Sequence, residues 1–107
     1  MYWYSTYMKV FIEPLSFDWD NGNINKNYDK HLITHKTAEE PFTDADLLTF
    51  PDPTHSTSRE KRFSIIGQTH QNDTLFITYT IRHNKIRIIS ARIANKNERK
   101  IYESQKI

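Results

Sequence analysis

Residues 74–94 read TLFITYTIRHNKIRIISARIA, and the fold is decided there. Two runs rich in β-branched and aromatic residues, 75–81 and 86–93, flank the polar tetrapeptide Arg82-His83-Asn84-Lys85. Such runs about a short polar turn form a β-hairpin. With His83-Asn84 as a two-residue turn, Arg82 faces Lys85 and Thr80 faces Arg87 across the ladder. Strand side chains alternate, so the two faces separate by parity. One face collects Leu75, Ile77, Tyr79, Ile81, Ile86, Ile88, Ser90 and Arg92, and is expected to be core. The other collects Phe76, Thr78, Thr80, Arg82, Lys85, Arg87, Ile89 and Ala91. Its cations and hydroxyls near the turn suit a phosphate backbone.

Working outward, residues 62–69 (RFSIIGQT) read as a further strand, with Phe63 and Ile65 alternating with Arg62, Ser64 and Ile66. The turn Gln71-Asn72-Asp73 leads from it into the hairpin. Strands 62–69, 75–82 and 85–93 are therefore expected to form an antiparallel meander, with Arg62 and Ser64 joining the polar face. Behind it, residues 95–104 are the strongest helix, with Asn95 as N-cap and Glu98 completing a capping box. Ile101 and Tyr102 are expected to pack back on the sheet. Ahead of it, 54–61 is a polar loop, and Pro51-Asp52-Pro53 forces an extended turn after a short strand at 47–50. Thr37 with Glu40 makes a capping box for a short helix at 37–42 that Pro41 stops early or kinks. Residues 21–32 carry a weak helical pattern, and 17–20 a short alternating strand. Residues 1–10 are an upstream extension or an edge strand, Met8 being an alternative start.

At 107 residues the chain reads as a single domain spanning 1–107. It lacks Cys, which excludes disulfides and thiolate metal sites and fits a cytoplasmic protein. Neither a membrane-length apolar run nor a signal peptide is evident. The net charge of +2 is segregated. Residues 1–54 hold four Lys against nine acids, a net −5; residues 55–107 hold eleven Lys or Arg against four acids, a net +7. A basic half suits a polyanionic partner. His31 and His35 stand four apart, but the Glu that a metalloprotease helix places after the first His is Leu32 here, so no metal is expected. Dinucleotide and P-loop glycine motifs are absent, and no cofactor is expected.

Ordered short motifs run through the chain. Phe17-Asp18-Trp19-Asp20 is followed by Asn27-Tyr28-Asp29-Lys30-His31 and by Glu39-Glu40-Pro41-Phe42-Thr43-Asp44. Next come Asp52-Pro53-Thr54-His55-Ser56, Glu60-Lys61-Arg62 and Ile66-Gly67. Thr80-Ile81-Arg82, Arg87-Ile88-Ile89-Ser90-Ala91-Arg92 and a charged helix from Glu98 to Tyr102 close the series. In this order and spacing, over residues 17–103, the chain resembles BrnT, the toxin of BrnT–BrnA type II toxin–antitoxin systems. Three departures stand out. Asn23 replaces a Lys common after the W-D, His35 replaces an apolar residue, and the loop after His55-Ser56 is one residue longer. The lost Lys is expected to weaken RNA binding or catalysis.

The resemblance implies a compact RelE-like α+β fold, with helices packed on an antiparallel sheet. It implies a metal-independent endoribonuclease that lowers translation, and a small DNA-binding BrnA-like antitoxin as partner. Metal-free RNA cleavage needs a base for the ribose 2′-OH, a donor for the leaving oxygen and cations for the phosphoryl oxygens. Arg62, Arg82 and Arg87 are the candidate cations, since a guanidinium meets phosphate in a bidentate fork. Glu60 or His55 is the candidate proton acceptor; Glu60 has the alternative role of orienting an arginine. Lys85, Thr80, Arg92 and Lys30 are candidate RNA contacts, Arg92 also being placed to hold the sheet to the last helix through Glu98. Tyr102 is read as packing. Two other classes stay open on the residues alone: a non-catalytic nucleic-acid binder using the same face, and a protein-interaction module.

Overall fold

The computed structural model describes residues 15–25 and 32–106. Four strands, β1 (Leu48–Pro51), β2 (Arg62–Gln68), β3 (Thr74–Arg82) and β4 (Lys85–Ile93), form one antiparallel sheet in chain order. The meander expected from 62 to 93 is present, and β1 adds a fourth strand against β2. His83 and Asn84 turn the hairpin at φ values of 54° and 62°. These are the left-handed conformations that a two-residue turn needs to match the twist of its strands. Arg82 pairs with Lys85 and Thr80 with Arg87, as the turn dictates.

Beyond Tyr79 the parity of β4 reverses. Tyr79 pairs with Ile88 but Thr78 pairs with Ser90, leaving Ile89 as the extra residue of a β-bulge. The sequence-based face assignment therefore fails past Ile88. Ala91, expected on the polar face, is buried in the core; Ser90 and Arg92, expected in the core, share the polar face with Thr78 and Phe76. The core cluster joins Ile65, Leu75, Ile77, Tyr79, Ile86, Ile88 and Ala91 to Ile33, Ala38, Phe42 and Leu47.

Helix α1 (His35–Glu39) and a 3₁₀ turn (Glu40–Thr43) cover that core face. The helix starts three residues earlier than the capping-box reading placed it. Thr34, not Thr37, is the N-cap, and its Oγ1 accepts from the Thr37 amide at 3.1 Å. As expected, the α-helix stops early, at Glu39 ahead of Pro41, and the chain tightens into the 3₁₀ turn with the Pro41 ring and Phe42 buried. Helix α2 (Lys96–Gln105) has the expected Asn95–Glu98 capping box. Tyr102 is buried and donates to Asp44 Oδ2 at 2.6 Å, whereas Ile101 points out at 46% exposure and does not pack on the sheet.

Ahead of α1, residues 21–25 are a turn rather than the start of a helix, and 26–31 lie outside the described residues, as do 1–14. The expected strand at 17–20 is a single parallel bridge, Phe17 to Ile86, beside β4. Two backbone bonds hold it: Asp18 donates to Ile86 O, and Ile86 to Ser16 O. Phe17 meets Phe42 edge-on at 5.4 Å, and Trp19 Nε1 donates to Glu39 at 2.8 Å. Asn23 is buried, its amide nitrogen donating to Asp18 O and Ile88 O while its Oδ1 accepts from the Asp20 amide. This position is a structural tie between the segment and the bulged strand.

Deleting Ile89 removes the extra residue and leaves a regular ladder, in which Ile86, Ile88 and Ala91 still face the core and Ser90 and Arg92 the polar side. Urea unfolding followed by circular dichroism is expected to keep a single cooperative transition for this deletion. Loss of the transition would mean that Ile89 is not the residue that the ladder leaves out.

Candidate active site

The register stacks the polar face into rows. Arg62, Thr80 and Arg87 form the row near the hairpin turn; Phe50, Ser64, Thr78 and Ser90 form the next; Leu48, Ile66, Phe76 and Arg92 form the third. A cleft of about 470 Å³ opens over the middle row. Its walls are Phe50, Phe76 and Ile89 on the apolar side, and Arg62, Arg92 and His55 on the cationic side.

The loop between β1 and β2 sets the mouth of this cleft. Asp52 continues the ladder one step past Pro51, its amide donating to Arg62 O at 2.8 Å. Ser56 Oγ closes the neck by donating to Asp52 O at 2.8 Å and accepting from the Arg62 amide at 2.9 Å. The Pro53–His55 3₁₀ turn carries the chain round, so that His55 Nδ1 meets Asp52 Oδ2 at 2.9 Å. A carboxylate only accepts, so the neutral ring donates through Nδ1 and leaves the Nε2 lone pair outward. The ring is 66% exposed and lines the cleft.

Glu60 sits between two cations. Arg62 Nε donates to its Oε1 at 3.1 Å, and Arg82 Nη2 lies 3.5 Å from Oε2. Glu60 holds Arg62 through Nε, and Arg62 lines the cleft. Glu60 is thus placed as an orienter of arginines, and His55 is the group with an available lone pair.

Three candidates sit differently from expectation. Arg87 is only 14% exposed and does not line the cleft; it forks onto Asp20 through two bonds of 3.1 Å, with Asp18 at 3.6 Å. Those hydrogen bonds raise its pKa and lower that of Asp20. A Cβ at Gly22 would stand 3.0 Å from Asp20 Oδ1 and 3.3 Å from Arg87 Nη2, so a side chain there would crowd the fork. Thr80 is buried and its hydroxyl donates to Lys61 O at 2.7 Å, which removes it as an RNA contact. Lys30 lies outside the described residues. Lys85 is exposed at the hairpin turn opposite Arg82.

Arg92 belongs to the cleft by way of the bulge. Nη1 and Nη2 each donate to one oxygen of Glu98 at 2.8 Å, and the guanidinium carbon lies 4.4 Å over the Phe76 ring. The expected tie to the last helix is present, reached from the opposite face. The bond to Arg92 holds the Glu98 carboxyl below its ordinary value. Ser64 lines the cleft from the polar face on which the sequence reading placed it, whereas that reading missed Asp52, Phe50 and Ser90 as lining groups; the Asp52-x-x-His55 spacing was the available signal for the first. Among the described residues, no three His, Cys, Asp or Glu side chains are grouped to hold a metal ion, and no helix is long and apolar enough to cross a membrane.

A family model described as the ribonuclease toxin BrnT of type II toxin–antitoxin systems matches residues 19–98. The chain belongs to the BrnT family. None of the curated proteins matches it. As a type II toxin family, BrnT implies RNA as target and an antitoxin as partner. The matched span contains every group described at the cleft.

Because the folded-state pKa of Glu98 lies below its unfolded value, the stabilisation is complete above the ordinary glutamate value of 4.5 and is lost as pH falls below it. Discounted for the partial exposure of Arg92, the pair contributes ~1 kcal/mol. Glu98→Gln is expected to unfold at lower urea than the parent at pH 7, with the difference shrinking as pH falls below 4.5. A difference constant across that range would remove the ion pair as its source.

Proposed function

We propose that the cleft is the catalytic site of a metal-independent endoribonuclease that cleaves RNA and lowers translation in the cytoplasm. The observation that carries this reading is the His55–Asp52 pair set at the cleft mouth directly across the ladder from Arg62. In the proposed step, His55 Nε2 takes the ribose 2′ proton. The 2′ oxygen then bonds to the adjacent phosphorus, giving a 2′,3′-cyclic phosphate. The P–O5′ bond breaks, and the departing oxygen takes a proton from solvent at the open mouth.

Asp52 fixes the ring tautomer and stabilises the imidazolium that forms, as a carboxylate does beside a catalytic histidine. The Nη groups of Arg62 meet the charge that builds on the phosphoryl oxygens. Glu60 keeps Arg62 and Arg82 in place, and Arg82 with Lys85 extends the cationic track for the flanking phosphates. Arg87 holds the 15–20 segment against β4.

Helices packed on a four-stranded antiparallel meander are consistent with the RelE-like arrangement. The partner is a small BrnA-like, DNA-binding antitoxin, which neutralises the toxin by covering this basic face. The departure at Asn23 leaves the reading intact, because its buried amide stands at no point of the cleft.

Cleavage of a purified RNA in EDTA, with the ends identified, tests the reading. The parent chain is expected to leave 5′-OH ends. His55→Ala and Arg62→Ala are each expected to lower kcat about 100-fold or more while remaining folded. Asp52→Asn is expected to lower kcat with little change in KM. Uncut RNA bound in a salt-sensitive way would instead make the chain a non-catalytic binder.

A further inference from the structure

The cleft contains a feature that phosphate binding does not use. Arg92 is a poor phosphate ligand as it stands, since Nη1 and Nη2 are both bonded to Glu98 and its charge is balanced there. Bonded along its edge and stacked at 4.4 Å on Phe76, the guanidinium is instead a fixed plane. It remains 39% exposed and lines the cleft. Phe50, 6.3 Å from Phe76 between centroids, continues the apolar wall. In the adjacent row Ser64, Thr78 and Ser90 stand side by side across three strands. The Ser64 side chain is buried at 3% exposure and lines the cleft, with no hydroxyl partner among the described residues.

Nucleobases stack on guanidinium planes as they do on aromatic rings, and hydroxyls serve either as donors or as acceptors for base edges. From this juxtaposition we propose that the Arg92–Phe76 stack and the Ser64–Thr78–Ser90 row form a subsite for one unpaired nucleobase of the RNA. The inference rests on the reading of the cleft as the RNA site. It sets the substrate class further as single-stranded RNA, because a base held in a duplex cannot reach the platform. The row lies two residues along the strand from Arg62, about 7 Å. The bound base therefore belongs to a nucleotide beside the scissile phosphate. Uncharged hydroxyls reading the base edge leave discrimination among bases to hydrogen-bond geometry.

The test uses the full chain and two short single-stranded oligonucleotides, identical except for one abasic nucleotide beside a single ribose. Versions with that ribose 2′-O-methylated measure binding by anisotropy, and the unmodified versions measure cleavage. For the parent chain, the abasic oligonucleotide is expected to bind about 10-fold more weakly. Arg92→Ala is expected to bring the intact oligonucleotide down to the abasic level and to leave the abasic one unchanged. Arg92→Lys keeps a cation for Glu98 but removes the plane, and is expected to behave like Arg92→Ala; it serves where the alanine variant does not fold. Equal losses on both oligonucleotides would make Arg92 structural only and overturn the subsite. Equal binding of both by the parent chain, or binding of neither, would also overturn it. Base-dependent binding with no cleavage would sustain the subsite while rejecting the ribonuclease reading.

Discussion

A single unpaired residue in β4, Ile89, governs how the two faces of the sheet divide. With strict alternation from the Tyr79–Ile88 pair, Arg92 would stand opposite Leu75 on the core face rather than opposite Phe76 on the polar one. It would then be a buried cation among apolar side chains, which no ion pair easily compensates. The bulge puts Ala91, a side chain small enough for the crowded centre, into the core instead. It releases Arg92 to Glu98, so the same extra residue that shapes the cleft also anchors α2 to the sheet. Bulges strengthen local twist and re-aim side chains; here the re-aimed residues are Ser90 and Arg92, both lining the cleft.

The bulge carries a requirement of its own, because its irregular backbone needs partners outside the ladder. Asn23 supplies one, donating to Ile88 O from a buried position. The same amide holds Asp18 O and Asp20 N, fixing the segment whose carboxylates clasp Arg87. The F-x-W-D stretch thereby alternates in function as well as in direction. Phe17 and Trp19 meet Phe42 and Glu39 on the helix side, while Asp18 and Asp20 meet Arg87 on the other. An arginine that looked in sequence like a phosphate ligand is a fastener because two acids far away in the chain reach it first.

Local chemistry was legible in the residues. The His83-Asn84 turn and the Asn95–Glu98 capping box each satisfy their backbone within a few residues, so spacing alone reveals them. The bulge was not legible, because Ile88 and Ile89 suit either face equally and only the packing of Ala91 against Ile77 decides between them. The start of α1 was ambiguous for a similar reason. Thr34 and Thr37 are equally able caps, and the chain uses the first, with the second bonded to it at 3.0 Å. At the site, Arg62, Glu60 and His55 could be named from the sequence. Their grouping could not, since it depends on a 3₁₀ turn and a Ser56 hydroxyl bridging the neck of the loop.

The charge segregation takes on a structural meaning once partners are assigned. Many acids of the first half are engaged internally: Asp18 and Asp20 by Arg87, Glu39 by Trp19, Asp44 by Tyr102 and the Gln68 amide, and Asp52 by His55. Only the first two of these neutralise a cation that is always charged, and that cation is Arg87, outside the cleft. Apart from Asp52, which lines the cleft, these acids build the fold away from the hairpin face. There Glu60 is shared between Arg62 and Arg82, and Lys85 adds a further charge, so the sum at the cleft mouth stays positive. A polyanion approaching this face meets a net attraction from Arg62, Arg82 and Lys85, next to the loop that carries His55.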